Sequence, residues 1–107
     1  MDTEEFVKAF HTEKESQLKD YLSDNPDSAV GLLIKSLNLD KSQTAIMQNI
    51  INGTLTDTYY GILLGLEESG SIGGLVQQRY DVKDSKGNQL NDGDIGGFAY
   101  EYFQESE

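Results

Sequence analysis

Few residues in this chain combine a reactive type with a spacing that could support chemistry. His11 is the one histidine. A general base or metal ligand needs a partner, and no nucleophile or second ligand stands near it in sequence, so a half-buried surface histidine is the plainer reading. Glu67 and Glu68 are adjacent, and on a helix neighbouring side chains diverge by about 100°. A cooperating acid/base pair needs both carboxylates on one reacting atom, so charge at a helix end is the better account. Gly70-Ser71-Ile72-Gly73-Gly74 invites comparison with phosphate-binding loops. It lacks both the G-x-G-x-x-G spacing and the Gly-Lys-Ser/Thr ending, and it follows a helix, whose C-terminus repels anions. The stretch from Asp84 to Asp94 is acidic enough to suggest calcium, yet as an EF-hand it puts Lys86 at position three and Gln89 where glycine is required. Cysteine is absent, which removes disulfides, thiolate catalysis and Cys-based zinc sites. No catalytic constellation results; the expectation is a chain that is not an enzyme and holds no cofactor or metal.

What stands out instead is charge. Among 107 residues, 19 are acidic and 8 basic, a formal charge of −11. Nucleic acid and anionic membrane surfaces both require Lys and Arg, so neither is expected as a partner. A basic protein is, and so is the blander alternative that the charge only maintains solubility. From Gly87 to Glu107 no residue is basic, whereas the N-terminal segment mixes Glu4, Glu5, Glu13, Glu15 and Asp20 with Lys8, Lys14 and Lys19. There are six tyrosines and no tryptophan; tyrosine favours interfaces because it supplies large area at little entropic cost. Tyr100 lies off the apolar face of its helix and is the best candidate for an exposed anchor. The expected partner-binding residues are therefore Glu67, Glu68, Asp92, Asp94, Tyr100, Glu101 and Glu105. The acidic start Met1-Asp2-Thr3-Glu4-Glu5 is the opposite of a secretory leader, and no apolar run approaches the ~20 residues that span a bilayer. The cytosol is the expected compartment.

These residues must be positioned by a single domain of ordinary size. The most apolar stretch, from Leu55 to Gly70, reads as a central helix with Leu55, Tyr59, Ile62, Leu63 and Leu66 on one face, capped by Thr56 and stopped at Gly70. Before it, the pattern predicts a helix from Asp2 to about Ser23 carrying Phe6, Phe10 and Tyr21, with Thr3 as cap and a weak middle at Lys14 and Gln17. Ser23-Asp24-Asn25-Pro26-Asp27 breaks it. A second helix, capped by Asp27 or Ser28, presents Val30, Leu33, Ile34 and Leu37. A third opens with a capping box at Asp40 and Gln43, presents Ile46, Met47, Ile50 and Ile51, and stops at Asn52-Gly53. Gly61 and Gly65, four apart, would let a neighbour approach the central helix closely. From Val76 the period changes to two, with Val76, Gln78, Tyr80 and Val82 alternating with Gln77, Arg79, Asp81 and Lys83. Turn residues at Asp84–Asn88 and a return at Gln89-Leu90 predict a β-hairpin. After Asp94 a last helix presents Ile95, Phe98, Ala99, Tyr102 and Phe103. The expected fold is α+β, with about five helices and one hairpin before the C-terminal helix.

The run Leu55-Thr56-Asp57-Thr58-Tyr59-Tyr60 through Gly74, and the tail Ala99-Tyr100-Glu101-Tyr102-Phe103, resemble small acidic bacterial proteins of unassigned function. Some of these are immunity proteins that neutralise a cognate toxin. The resemblance covers about a third of the chain, contains no catalytic motif and transfers no functional residue. It implies a non-catalytic protein-binding module, most concretely an inhibitor of a basic toxin such as a nuclease. Two other classes remain open on sequence grounds. One is a small enzyme or ligand-binding protein with a site assembled from distant residues, recognisable by a deep pocket of converging carboxylates or His11. The other is a structural homo-oligomer, a homodimer being the simplest case, recognisable in solution by its mass.

Overall fold

The computed structural model describes residues 1–67, 70–76 and 78–105. Four helices follow one another: α1 (Thr3–Tyr21), α2 (Ala29–Ser36), α3 (Lys41–Leu66) and α4 (Ile95–Tyr100), the last continuing into a π-helical turn, Glu101–Glu105. Local chemistry sets their starts. Asp2 and Glu5 form a reciprocal capping box on α1, and Asp40 and Gln43 do the same on α3. Each box satisfies two backbone N–H groups that have no partner inside the helix. Ser28 caps α2 by accepting from the Gly31 N–H. The cap of α1 is thus Asp2, with Thr3 one residue inside and buried.

The core forms where α1, the C-terminal half of α3, and α4 with its π-turn meet. Val7, Leu63, Ile95, Ala99 and Phe103 are fully buried there, with Phe6, Phe10, Tyr59, Leu66 and Phe98 packed around them. Burial of each large apolar side chain contributes about 1.5–3 kcal/mol. Edge-to-face ring contacts, Phe6 on Phe10 at 5.2 Å and Phe10 on Tyr59 at 5.9 Å, tie α1 to α3, and the Tyr59 hydroxyl donates to the Gln17 side chain at 2.5 Å. Lys14, expected to interrupt the stripe of α1, fills it: the side chain is 2 % exposed, with its ammonium 5.9 Å from the centre of the Phe103 ring. Its alkyl stem supplies apolar surface, and the ring face attracts the charge.

Three sequence expectations are corrected. The first is the fold class. Among the described residues there is no β-strand, so the chain is helical and not α+β. A single antiparallel bridge, Lys83 with Gln89, closes the turn at Asp84–Asn88. Pairing stops there because the Asn91 side chain takes over the next backbone groups. Its Oδ1 accepts from the Val82 N–H at 3.1 Å, and its Nδ2 donates to the Tyr80 carbonyl at 2.6 Å and the Leu66 carbonyl at 3.0 Å. Val76 is 83 % exposed and Gln78 is exposed with it, so only the stretch from Tyr80 to Val82 leans on the core, too short a face to hold a lone two-stranded ribbon together.

The second correction concerns the helix count. The predicted third and central helices are one 26-residue helix, α3, which runs through Asn52-Gly53. Thr56 lies in its interior, buried. An interior glycine costs only about 1 kcal/mol relative to alanine, less than breaking a helix whose apolar register continues unshifted through Met47, Ile51, Leu55, Tyr59 and Leu63. The third concerns the helix-spaced glycines. At Gly65 a Cβ would collide with the Ile72 side chain, the close approach expected; at Gly61 there is open space.

α2 touches α1 and no other helix, and α3 from 41 to 50 is exposed almost throughout. The molecule measures 46 × 30 × 25 Å, with a radius of gyration of 16.1 Å, against about 13 Å for a compact domain of this length. α2 and the first half of α3 form an arm projecting from the core.

Candidate partner-binding site

The loop before α4 is built by side chains reaching across from other elements. Glu67, just past the end of α3, accepts from the Gly93 N–H at 3.1 Å and the Ile95 N–H at 2.6 Å. Asp94, at the N-cap position of α4, makes no side-chain cap bond, so Glu67 supplies the cap from outside the helix. A carboxylate is suited to this, since the helix start carries partial positive charge. Upstream, Asp84 accepts from the Lys86 and Asn88 N–H groups and the Asn88 side-chain amide, at 2.8–3.0 Å. These bonds, the Asn88 side chain first, hold its carboxyl well below the ordinary carboxylate range. The Met1 amino group also pairs with it, at 3.2 Å.

This scaffold sets Asp92 and Asp94 beside the first turn of α1. Together with Asp2, Glu4 and Glu5 they line an open groove floored by Phe98, with no Lys or Arg side chain in its lining. Five carboxylates from two distant chain segments converge there. Three are also structural: Asp2 and Glu5 form the capping box, and Glu4 accepts from the Tyr102 hydroxyl at 3.0 Å. That bond, with burial a lesser cause, raises the pKa of the Tyr102 hydroxyl. Asp92 and Asp94 are exposed.

Of the residues expected from the sequence, the structure brings Asp92 and Asp94 into this groove. Glu67 lies behind it as the cap of α4. Tyr100 is 53 % exposed, as expected of an anchor, but it does not line the groove; it sits roughly 200° around α4 from Phe98. Glu101 and Glu105 are exposed on the π-turn. Glu68 lies outside the described residues. Sequence reasoning missed Asp2, Glu4 and Glu5 because it averaged charge over the whole first helix. The available signal was position: the first turn of α1 holds acids alone, and its first lysine, Lys8, comes a turn later.

His11 is half-buried, with Nε2 3.5 Å from the Glu15 carboxylate one turn on and its ring 5.5 Å from that of Phe103. Among the described residues no three acidic or imidazole side chains are grouped so as to hold a metal ion, and no helix is long and apolar enough to cross a membrane. A second groove, between Arg79–Lys83 and Asn91–Gly93, mixes both charges, with Lys83 on Asp81 at 3.3 Å. Neither groove sets a nucleophile against a base. No protein-family model, curated protein or solved structure matches the chain.

Proposed function

We propose that this chain is a non-catalytic, acidic protein-binding module of the cytosol whose partner is a basic protein. One observation carries the reading: Asp2, Glu4, Glu5, Asp92 and Asp94 line one groove over a half-buried aromatic floor, where, among the described residues, the Met1 amino group, paired with Asp84, is the one positive group. Gathering like charges costs stability, and a concave surface on which five carboxylates outweigh one amino group focuses its field on an oppositely charged partner and speeds encounter. Glu101 and Glu105 extend that field along the π-turn, and Tyr100 offers an aromatic side chain beside it. Inhibition of a basic toxin, in the manner of immunity proteins, is the most concrete form of this function, and it rests on the sequence resemblance.

The test is to co-express the chain with the product of the gene directly upstream and to measure binding kinetics. Asp92→Lys, Asp94→Lys and Glu101→Lys should together slow association by about tenfold or more and flatten its dependence on salt. Tyr100→Ala should act mainly by speeding dissociation. A bound partner whose rates ignore all four substitutions would refute the placement.

A further inference from the structure

The arm has a surface that the acidic groove does not explain. Leu33 and Leu37 stand one turn apart on α2, and Ile46 and Ile50 one turn apart on α3; all four are more than half exposed, Leu33 at 68 %. Val30 and Leu32 are exposed beside them on α2. Helices this apolar normally bury such residues, and α2 has only α1 to pack on. We infer that a second copy of this chain covers the arm, arm against arm, in a two-fold symmetric dimer.

Two further observations select that occupant. The first is area. The chain exposes 7079 Å², whereas a compact monomer of its mass exposes about 5,950 Å², an excess of roughly 1,100 Å². A stable two-protein interface takes about 800 Å² from each partner; the excess, shared between the arm and the exposed segment 71–76, has room for one such contact. The second is charge. Residues 28–56 contain Lys35, Lys41 and a single acid, Asp40, so this segment is slightly positive in a chain of −11. Two such acidic molecules repel one another over most of their surfaces, and the arm is where they can approach at least cost. An isologous contact also suits the geometry, because a projecting arm can lie along its own symmetry mate without bringing the two cores together.

Sedimentation velocity of the full chain, from micromolar to millimolar concentration, tests this directly. A dimer fraction that grows with concentration, and grows further as added salt screens the residual repulsion, is the expected result. Leu33→Glu with Ile50→Glu should weaken the dimer by about tenfold or more and leave the helical circular dichroism unchanged, since both side chains are exposed. A chain that stays monomeric at millimolar concentration overturns the inference, as does a dimer that survives the double substitution. The outcome is independent of the acidic groove: binding there weakens with salt, and pairing of the arms strengthens.

Discussion

The carboxylate of Glu67 leaves the end of one helix and caps the start of another, so it carries the geometry of the acidic groove without lining it. Glu67→Ala would strip acceptors from the Gly93 and Ile95 N–H groups. The expected cost is about 0.5–2 kcal/mol, the range for losing a helix cap, while Glu67→Gln, which keeps an acceptor oxygen, should recover much of it. Chemical denaturation of the three proteins checks this. Asp84 gives a prediction with a pH signature. Its folded pKa is depressed, so its stabilising bonds are fully present above the unfolded value near 3.9 and are lost as pH falls toward the folded one. Asp84→Asn should therefore melt below the wild type at pH 7, and the two melting curves should converge as the pH is lowered beneath about 4. A gap that persists unchanged in acid would assign the effect to shape and not to charge.

At the level of helices, glycines in the same kind of element should respond with opposite signs. Gly31 in α2 sits against the Pro26 ring, with the Asp20 carbonyl 3.2 Å from where a Cβ would lie. Gly53 and Gly61 in α3 face open space. Gly53→Ala and Gly61→Ala should each stabilise by about 0.5–1 kcal/mol. Gly31→Ala should destabilise by about 1–3 kcal/mol through overpacking. Thermal melts of the three variants decide it. The same positions show what could be read from sequence. The cap at Asp40 with Gln43 was legible, and Ser28 was one of two candidates with Asp27, because caps depend on residues within one turn; the same local signal misplaced caps at Thr3 and Thr56. The apolar face of α4, from Ile95 to Phe103, was legible because its spacing is regular. Continuity through Asn52-Gly53 was not: a local breaker signal was weighed above the apolar register that persists across it. The missing hairpin was hidden more deeply. It fails because one side chain, that of Asn91, competes with a strand for the same backbone groups, and no periodicity announces such a competition. The acidic groove was half legible, Asp92 and Asp94 from composition, while their meeting with Asp2 and Glu4 depends on α1 packing against α4.

For the molecule as a whole, a charge of −11 opposes compaction, and that opposition is screened with a Debye length of about 8 Å at physiological ionic strength. The melting temperature should accordingly rise as salt is added to a low-salt buffer, with most of the gain complete by about 0.5 M. Calorimetry across a salt series checks this. A flat or falling melting temperature would mean that local bonds such as those of Asp84 outweigh the long-range repulsion.

Three of the five fully buried core side chains, Ile95, Ala99 and Phe103, come from α4 and its π-turn, and they pack on Val7 of α1. During vectorial synthesis α1 and α3 emerge first and can pair through Phe10 and Tyr59, but the side that α4 and its π-turn cover stays open while that segment is still inside the ribosome. Domains ordinarily begin to fold as they are made, from the N-terminus onward. This one cannot complete its core until the segment from Ile95 to Phe103 has emerged. A nascent chain stalled before Ile95 leaves the exit tunnel should be cleaved readily by a probe protease, and one stalled well beyond Glu105 should resist it.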